Sequence, residues 1–123
     1  MPPNGARPIM RSIASGHGAA SFTESDQVFE SAAELFRVMS APTRLKIISS
    51  LCNGEKNVGQ LIQEIETTQP NMSQHLNMLY QNGVIGKRRD GVHIFYRIIN
   101  DRVVTLCRAI CTQIAIESDS HSQ

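Results

Sequence analysis

The chain has 123 residues, 41% hydrophobic and 19% charged, which fits one soluble globular domain with a core small enough for a partner subunit to help stabilise. No apolar run approaches the roughly eighteen residues of a membrane span, so no membrane association is expected. The net charge of +1 is unevenly spread: residues 1–66 hold six basic and seven acidic side chains, residues 67–113 hold six basic and two acidic, and the remainder holds two acids. A local positive region in a nearly neutral chain excludes a uniformly basic coat and points to one nucleic-acid surface.

Residues 1–22 contain Pro2, Pro3, Gly5, Pro8, Gly16 and Gly18, which prevent a continuous amphipathic helix. A disordered arm is expected there; Arg7, Arg11 and several serines are only weak features of an organelle transit signal. The ordered domain is expected over 23–117. Val28, Ala32, Leu35, Phe36 and Met39 recur at helical spacing and predict a first amphipathic helix. A second helix starts at Pro42, buries Leu45, Ile48 and Leu51/Cys52, and stops before Gly54. Asn57 caps a short third helix through Val58, Leu61, Ile62 and Ile65. In "TTQPNMSQHLNMLYQNG" Thr68 can cap, Pro70 fits the first turn and Gly83 lies just past the end. The period then shortens to two, and "VIGKRRDGVHIFYRI" reads as two strands joined at Asp90-Gly91. Asn100 caps a last helix with an apolar stripe through Val103, Leu106/Cys107, Ile110 and Ile114, and residues 118–123 form a polar tail. The fold class is mainly α with a small β-hairpin, in the order α-α-α-α-β-β-α. That order is a winged helix-turn-helix.

The fourth helix is unusually rich in carboxamides. With Met72 at the centre of a buried face, Leu76 and Leu79 fall within about 40° of it at about 100° per residue. Ser73, Gln74, Asn77 and Gln81 fall on the far side, with Asn71 flanking them and Gln69 at the N-terminus. Asn and Gln can bond adenine N6 and N7 bidentately in a major groove, and Ser can pair with either donors or acceptors. The N-terminus of such a helix commonly approaches base edges and favours phosphate. Lys87, Arg88 and Arg89 lead to the hairpin tip, where they can reach phosphates or an adjacent minor groove. His75, about 60° from the buried centre, reads as a structural histidine at the core edge.

Other classes find little support. There is no Gly-rich phosphate loop, no G-x-S-x-G elbow and no hydrolase His/carboxylate spacing, so neither an enzyme nor a cofactor is expected. The absence of aromatic residues placed for base stacking weakens an RNA-binding reading. A winged helix used only for protein–protein contact remains the competing class. Three cysteines without a secretory hydrophobic segment point to a reducing, cytoplasmic compartment.

The stretches "SAPTRLKIISSLCNGEKNVGQL" and "SQHLNMLYQNGVIGKRRDGVHIFYRI" resemble the ArsR/SmtB transcriptional repressors over residues 31–113. The resemblance implies a homodimer held by the first and last helices, bound to an inverted-repeat operator and released by an inducer. Its metal sites are not reproduced. No cysteine occurs in "NVGQL", where one site has a Cys-x-Cys pair. At the other, Asp101 and Glu117 are present, but Val103 and Ile114 stand where imidazoles belong. Cys52, Cys107 and Cys111 remain as sensor candidates. They resemble the thiol pair of sulfide- and oxidant-responsive members, with Cys52 one turn later and Cys111 one turn earlier. Those shifts compensate if the two helices run antiparallel. The same thiols could bind arsenite or cadmium, or serve as small buried apolar residues.

Overall fold

The computed structural model describes residues 18–121, with side chains from 25 to 120. Most of the expected N-terminal arm, with Arg7 and Arg11, lies outside the described residues. Helix α1 (Gly18–Met39) is followed by α2 (Pro42–Leu51), strand β1 (Lys56–Asn57), α3 (Val58–Glu64), α4 (Gln69–Gln81), β2 (Ile85–Asp90), β3 (His93–Ile98) and α5 (Asp101–His121). Among the described residues, no helix is long and apolar enough to cross a membrane.

The chain divides into two compact units, one ending at Arg37 and the other beginning at Val38. The first is represented by α1. Val28 and Phe36, on its expected apolar face, are 60% and 53% exposed, and Phe29 is 68% exposed. An i,i+3 ion pair between Glu34 and Arg37 lies near its end.

In the second unit the local signals are met where they were expected. Pro42 occupies the first turn of α2 after an extended Ala41. Asn57 and Gln60 form a reciprocal capping box on α3. The Thr68 hydroxyl accepts the Asn71 amide, and Asn100 Oδ1 accepts the Arg102 amide at the head of α5. Helix α4 ends in a complete Schellman motif: Val84 N–H donates to Leu79 O, Gly83 N–H donates to Tyr80 O, and Gly83 adopts φ +74°. The core combines Ile47, Ile48 and Leu51 of α2, Leu61 of α3, Met72, Leu76 and Leu79 of α4, then Ile85, Val103 and Cys107.

Three details depart from the sequence reading. The sheet has three strands in the order β1-β3-β2, because Lys56 and Asn57 pair with Tyr96 and Phe95. Asn57 serves both strand and cap, since its extended backbone (φ −92°, ψ 176°) suits each role. The hairpin register pairs Asp90 with His93, so its loop is Gly91-Val92, one residue later than expected. Gly91, at φ +66°, supplies the left-handed conformation that both common two-residue hairpin turns need at their first position. Helix α5 also continues through the polar residues 118–121, where no Gly or Pro interrupts it. Its stripe is buried only at Val103 and Cys107, while Ile110 and Ile114 are 58% and 55% exposed.

Candidate nucleic-acid interface and thiol cluster

Helix α4 buries Met72, Leu76 and Leu79 completely or nearly so, and this fixes its rotation about its own axis. Gln69, Asn71, Ser73, Gln74, Asn77 and Gln81 are all exposed as a result. No side-chain hydrogen bond within the described chain engages these five amides or the Ser73 hydroxyl. A partner can therefore be met without first breaking an internal bond.

His75 is part of the scaffold. Arg44, on α2, donates from Nε to the Val38 carbonyl at 2.5 Å and lies 3.1 Å from His75 Nδ1 through Nη1. A guanidinium can only donate, so Nδ1 accepts and the ring is neutral. Burial, reinforced by the Arg44 charge, pulls the His75 pKa below its ordinary value. Arg44 thereby ties the end of α1, α2 and α4 together at one point.

The three basic wing residues have different surroundings. Arg88 reaches Glu55, donating from Nε at 3.0 Å to both carboxylate oxygens and from Nη2 at 2.7 Å, and its guanidinium lies 4.9 Å from the Phe95 ring centroid. The hydrogen-bonded Arg88 holds the Glu55 carboxyl below its usual range, and the pair raises Arg88 in return. Lys87 stands on the opposite face of β2, with Nζ 4.3 Å from the centroid of Tyr80 on α4. Arg89 shares that face and, among the described residues, has no ionic partner. Lys87 and Arg89 are thus exposed on the face of β2 that is turned to α4, while Arg88 braces β2 against the segment after α2.

Cys52, just past the end of α2, and Cys107 and Cys111 of α5 line one cleft of about 200 Å³ together with Ser49, Asn53, Arg108 and Thr112. Cys107 and Cys111 sulfurs are 3.9 Å apart, and all three cysteines are free thiols. Cys107 is buried, which together with Cys111 and Cys52 pushes its pKa up to about 11, while Arg108 opposes the shift. Helix α2 packs against both α4 and α5, so this cleft and the amide face share a supporting helix.

Val103 is fully buried and cannot ligate. Asp101 and Glu117 lie sixteen residues apart on α5, about 24 Å along the axis, too far to share an ion within one chain. Among the described residues, no three His, Cys, Asp or Glu side chains are grouped to hold a metal. Sequence reasoning missed Arg44, Glu55 and Tyr80 as supports of the site. Their partners lie 31, 33 and 7 residues away, and no local motif marks those pairings.

The sequence pattern of bacterial regulatory proteins of the arsR family matches residues 41–87. An uncharacterised HTH-type transcriptional regulator of Methanocaldococcus jannaschii is 39% identical over 83 residues, covering 67% of this chain and 93% of that protein. The biofilm growth-associated repressor of Xylella fastidiosa is 38% identical over 85 residues, covering 66% of this chain and 75% of that protein. The crystal structure of the transcriptional repressor BigR from Xylella fastidiosa superposes with a TM-score of 0.69 at 33% identity, covering 73% of this chain and 92% of that one. The chain belongs to the ArsR/SmtB family of winged helix-turn-helix transcriptional repressors, which are DNA-binding regulators and not enzymes.

Proposed function

We propose that the protein binds an inverted-repeat operator as a homodimer and leaves it when its cysteines react with a sulfur species or an oxidant. The observation that carries this reading is the convergence of Cys52, Cys107 and Cys111 on one cleft between the end of α2 and α5. Gln69, Asn71, Ser73, Gln74 and Asn77 read base edges and the adjoining backbone in the major groove, and Lys87 and Arg89 hold phosphates. Arg88 acts as the strut of the wing. The exposed Ile110, Ile114 and Ile116 of α5 support dimerisation, since such an apolar row is otherwise left in water.

Cys107 stays protonated near neutral pH, so attack on an incoming electrophile falls to Cys52 or Cys111. With a peroxide, two protein thiols lose two electrons and two protons to form a disulfide, and the peroxide is reduced to water. A bond from Cys52 to α5 pulls the end of α2. Because Arg44 of α2 holds His75 of α4, the same displacement shifts the amide face. Soft metal or metalloid sensing is the second reading, carried by the thiol donors themselves.

The test measures operator affinity of the reduced protein before and after polysulfide, peroxide or arsenite, in wild type and Cys52→Ser. Polysulfide or peroxide is expected to weaken wild-type binding by about tenfold or more, equivalent to about 1.4 kcal/mol, and to leave Cys52→Ser unaffected. Release by arsenite alone would replace the redox reading with the metalloid one.

A further inference from the structure

A second cleft, of about 410 Å³, adjoins the thiol cleft and shares Cys52 and Arg108 with it. Glu55, Arg97 and Asp101 contribute its remaining charges. Glu55 is already matched by Arg88. Arg97 and Arg108 make no ion pair among the described residues, and neither does Asp101. Arg97 lies across Gly86, where a Cβ would sit 3.4 Å from its Cζ. Glycine at that position leaves room for the guanidinium.

The cleft therefore presents two guanidiniums and one carboxylate outside any ion pair around a half-buried thiol, although the Arg97 charge also helps hold the Glu55 carboxyl below its usual range. An α-amino-acid head group has the complementary charges: a carboxylate for Arg97 and Arg108, and an ammonium for Asp101. The volume lies within the range of small-molecule pockets. Nothing in the DNA-binding role calls for this arrangement, because none of the three charged groups lies on α4 or on the face of the wing that carries Lys87 and Arg89.

We propose that this cleft receives a low-molecular-weight disulfide of the amino-acid type and delivers its sulfur to Cys52. The inference rests on the cysteine-sensing reading above and names the electrophile that the sensor takes. The Cys52 thiolate attacks the nearer sulfur of the ligand, a new S–S bond forms, and the ligand's own S–S bond breaks. The departing half leaves as a thiolate and takes up the proton that Cys52 lost. Cys52 and one ligand sulfur end as a mixed disulfide, and the other ligand sulfur is reduced to a thiol. Attack by Cys111 on that mixed disulfide would release the second half as a thiol and leave Cys52 bonded to α5. The ligand disulfide is the oxidant throughout, and no other reactant is required.

The experiment compares cystine with cystamine, which lacks the carboxylates, as substrates for the full-length reduced protein. Adduct formation at Cys52 is followed by intact mass and peptide mapping, and each rate is divided by that of a free reference thiol. Charged clefts raise encounter rates by tenfold or more, so cystine is expected to gain about tenfold over cystamine in this ratio. In Arg97→Gln/Arg108→Gln the preference should fall to about one. On the unaltered protein, raising salt to about 0.5 M should also diminish it, which removes any dependence on how well the double variant folds. Equal normalised rates for the two disulfides would overturn the cleft's role, even if either adduct releases operator. A cystine preference lost with the two arginines, but with operator still bound to the adduct, would uphold the cleft and overturn cysteine sensing instead.

Discussion

Replacing Arg89 with glutamine should lower the salt dependence of operator binding, whereas the same change at Arg88 should leave it almost unaltered. The two residues are adjacent on β2 and face opposite ways, so their charges have different surroundings. Arg88 directs its donors to both oxygens of Glu55 at 2.7–3.0 Å, and Arg89 has no ionic partner among the described residues. Each phosphate neutralised on B-DNA adds about 0.9 to the slope of log affinity against log salt. With one Arg89 from each subunit of the proposed dimer, Arg89→Gln should reduce the slope by about 1.8. Glu55→Gln works in the opposite sense. It removes the charge that holds Arg88, and a released guanidinium near the duplex should steepen the slope. Fluorescence anisotropy of a labelled operator, titrated at several salt concentrations, reads all three variants. Equal slopes for Arg88→Gln and Arg89→Gln would refute the division of labour within the wing.

Gln74→Ala should cost about 1–3 kcal/mol of affinity on the specific operator and almost nothing on random DNA, measured by competition gel shift. His75 is held neutral in the fold, while the unfolded chain takes up its proton near the ordinary value of 6.5. Its contribution is therefore complete above that pH and is lost as pH falls through the lower folded value. Melting temperatures measured between pH 7.5 and 5.5 should decline in wild type, and the decline should be shallower in His75→Gln. Iodoacetamide should alkylate Cys107 more slowly than Cys52 or Cys111, and its rate should keep rising with pH toward about 11, as peptide mapping of timed samples would show.

The features legible in the sequence are those decided within a few residues. Thr68, Asn57 and Gly83 announce helix ends because caps act over three or four positions. The Met72–Leu76–Leu79 seam is legible because one face of α4 is buried and its period is undisturbed. β1 is not legible: two residues carry no periodicity, and Lys56 becomes strand only by pairing with Tyr96, forty positions later. The same holds for the wing. Alternation along β2 could be read, but not that Glu55 waits on one face and Tyr80 on the other. The stripe through Ile110 and Ile114 is legible, but where along α5 it leaves the core is not, since an apolar stripe states only that something should cover it. The grouping of Cys52 with Cys107 and Cys111 could be inferred from helix register, while the cleft that joins them depends on side chains brought together by tertiary packing.

The link between thiol state and DNA is best tested by following both in one sample. Operator release is recorded by stopped-flow anisotropy after polysulfide is added, while quenched aliquots report the free Cys52 thiol by mass spectrometry. Operator should leave at the rate at which the Cys52 thiol disappears, and dithiothreitol should restore both. Full loss of the Cys52 thiol with operator still bound at its original affinity would contradict the account.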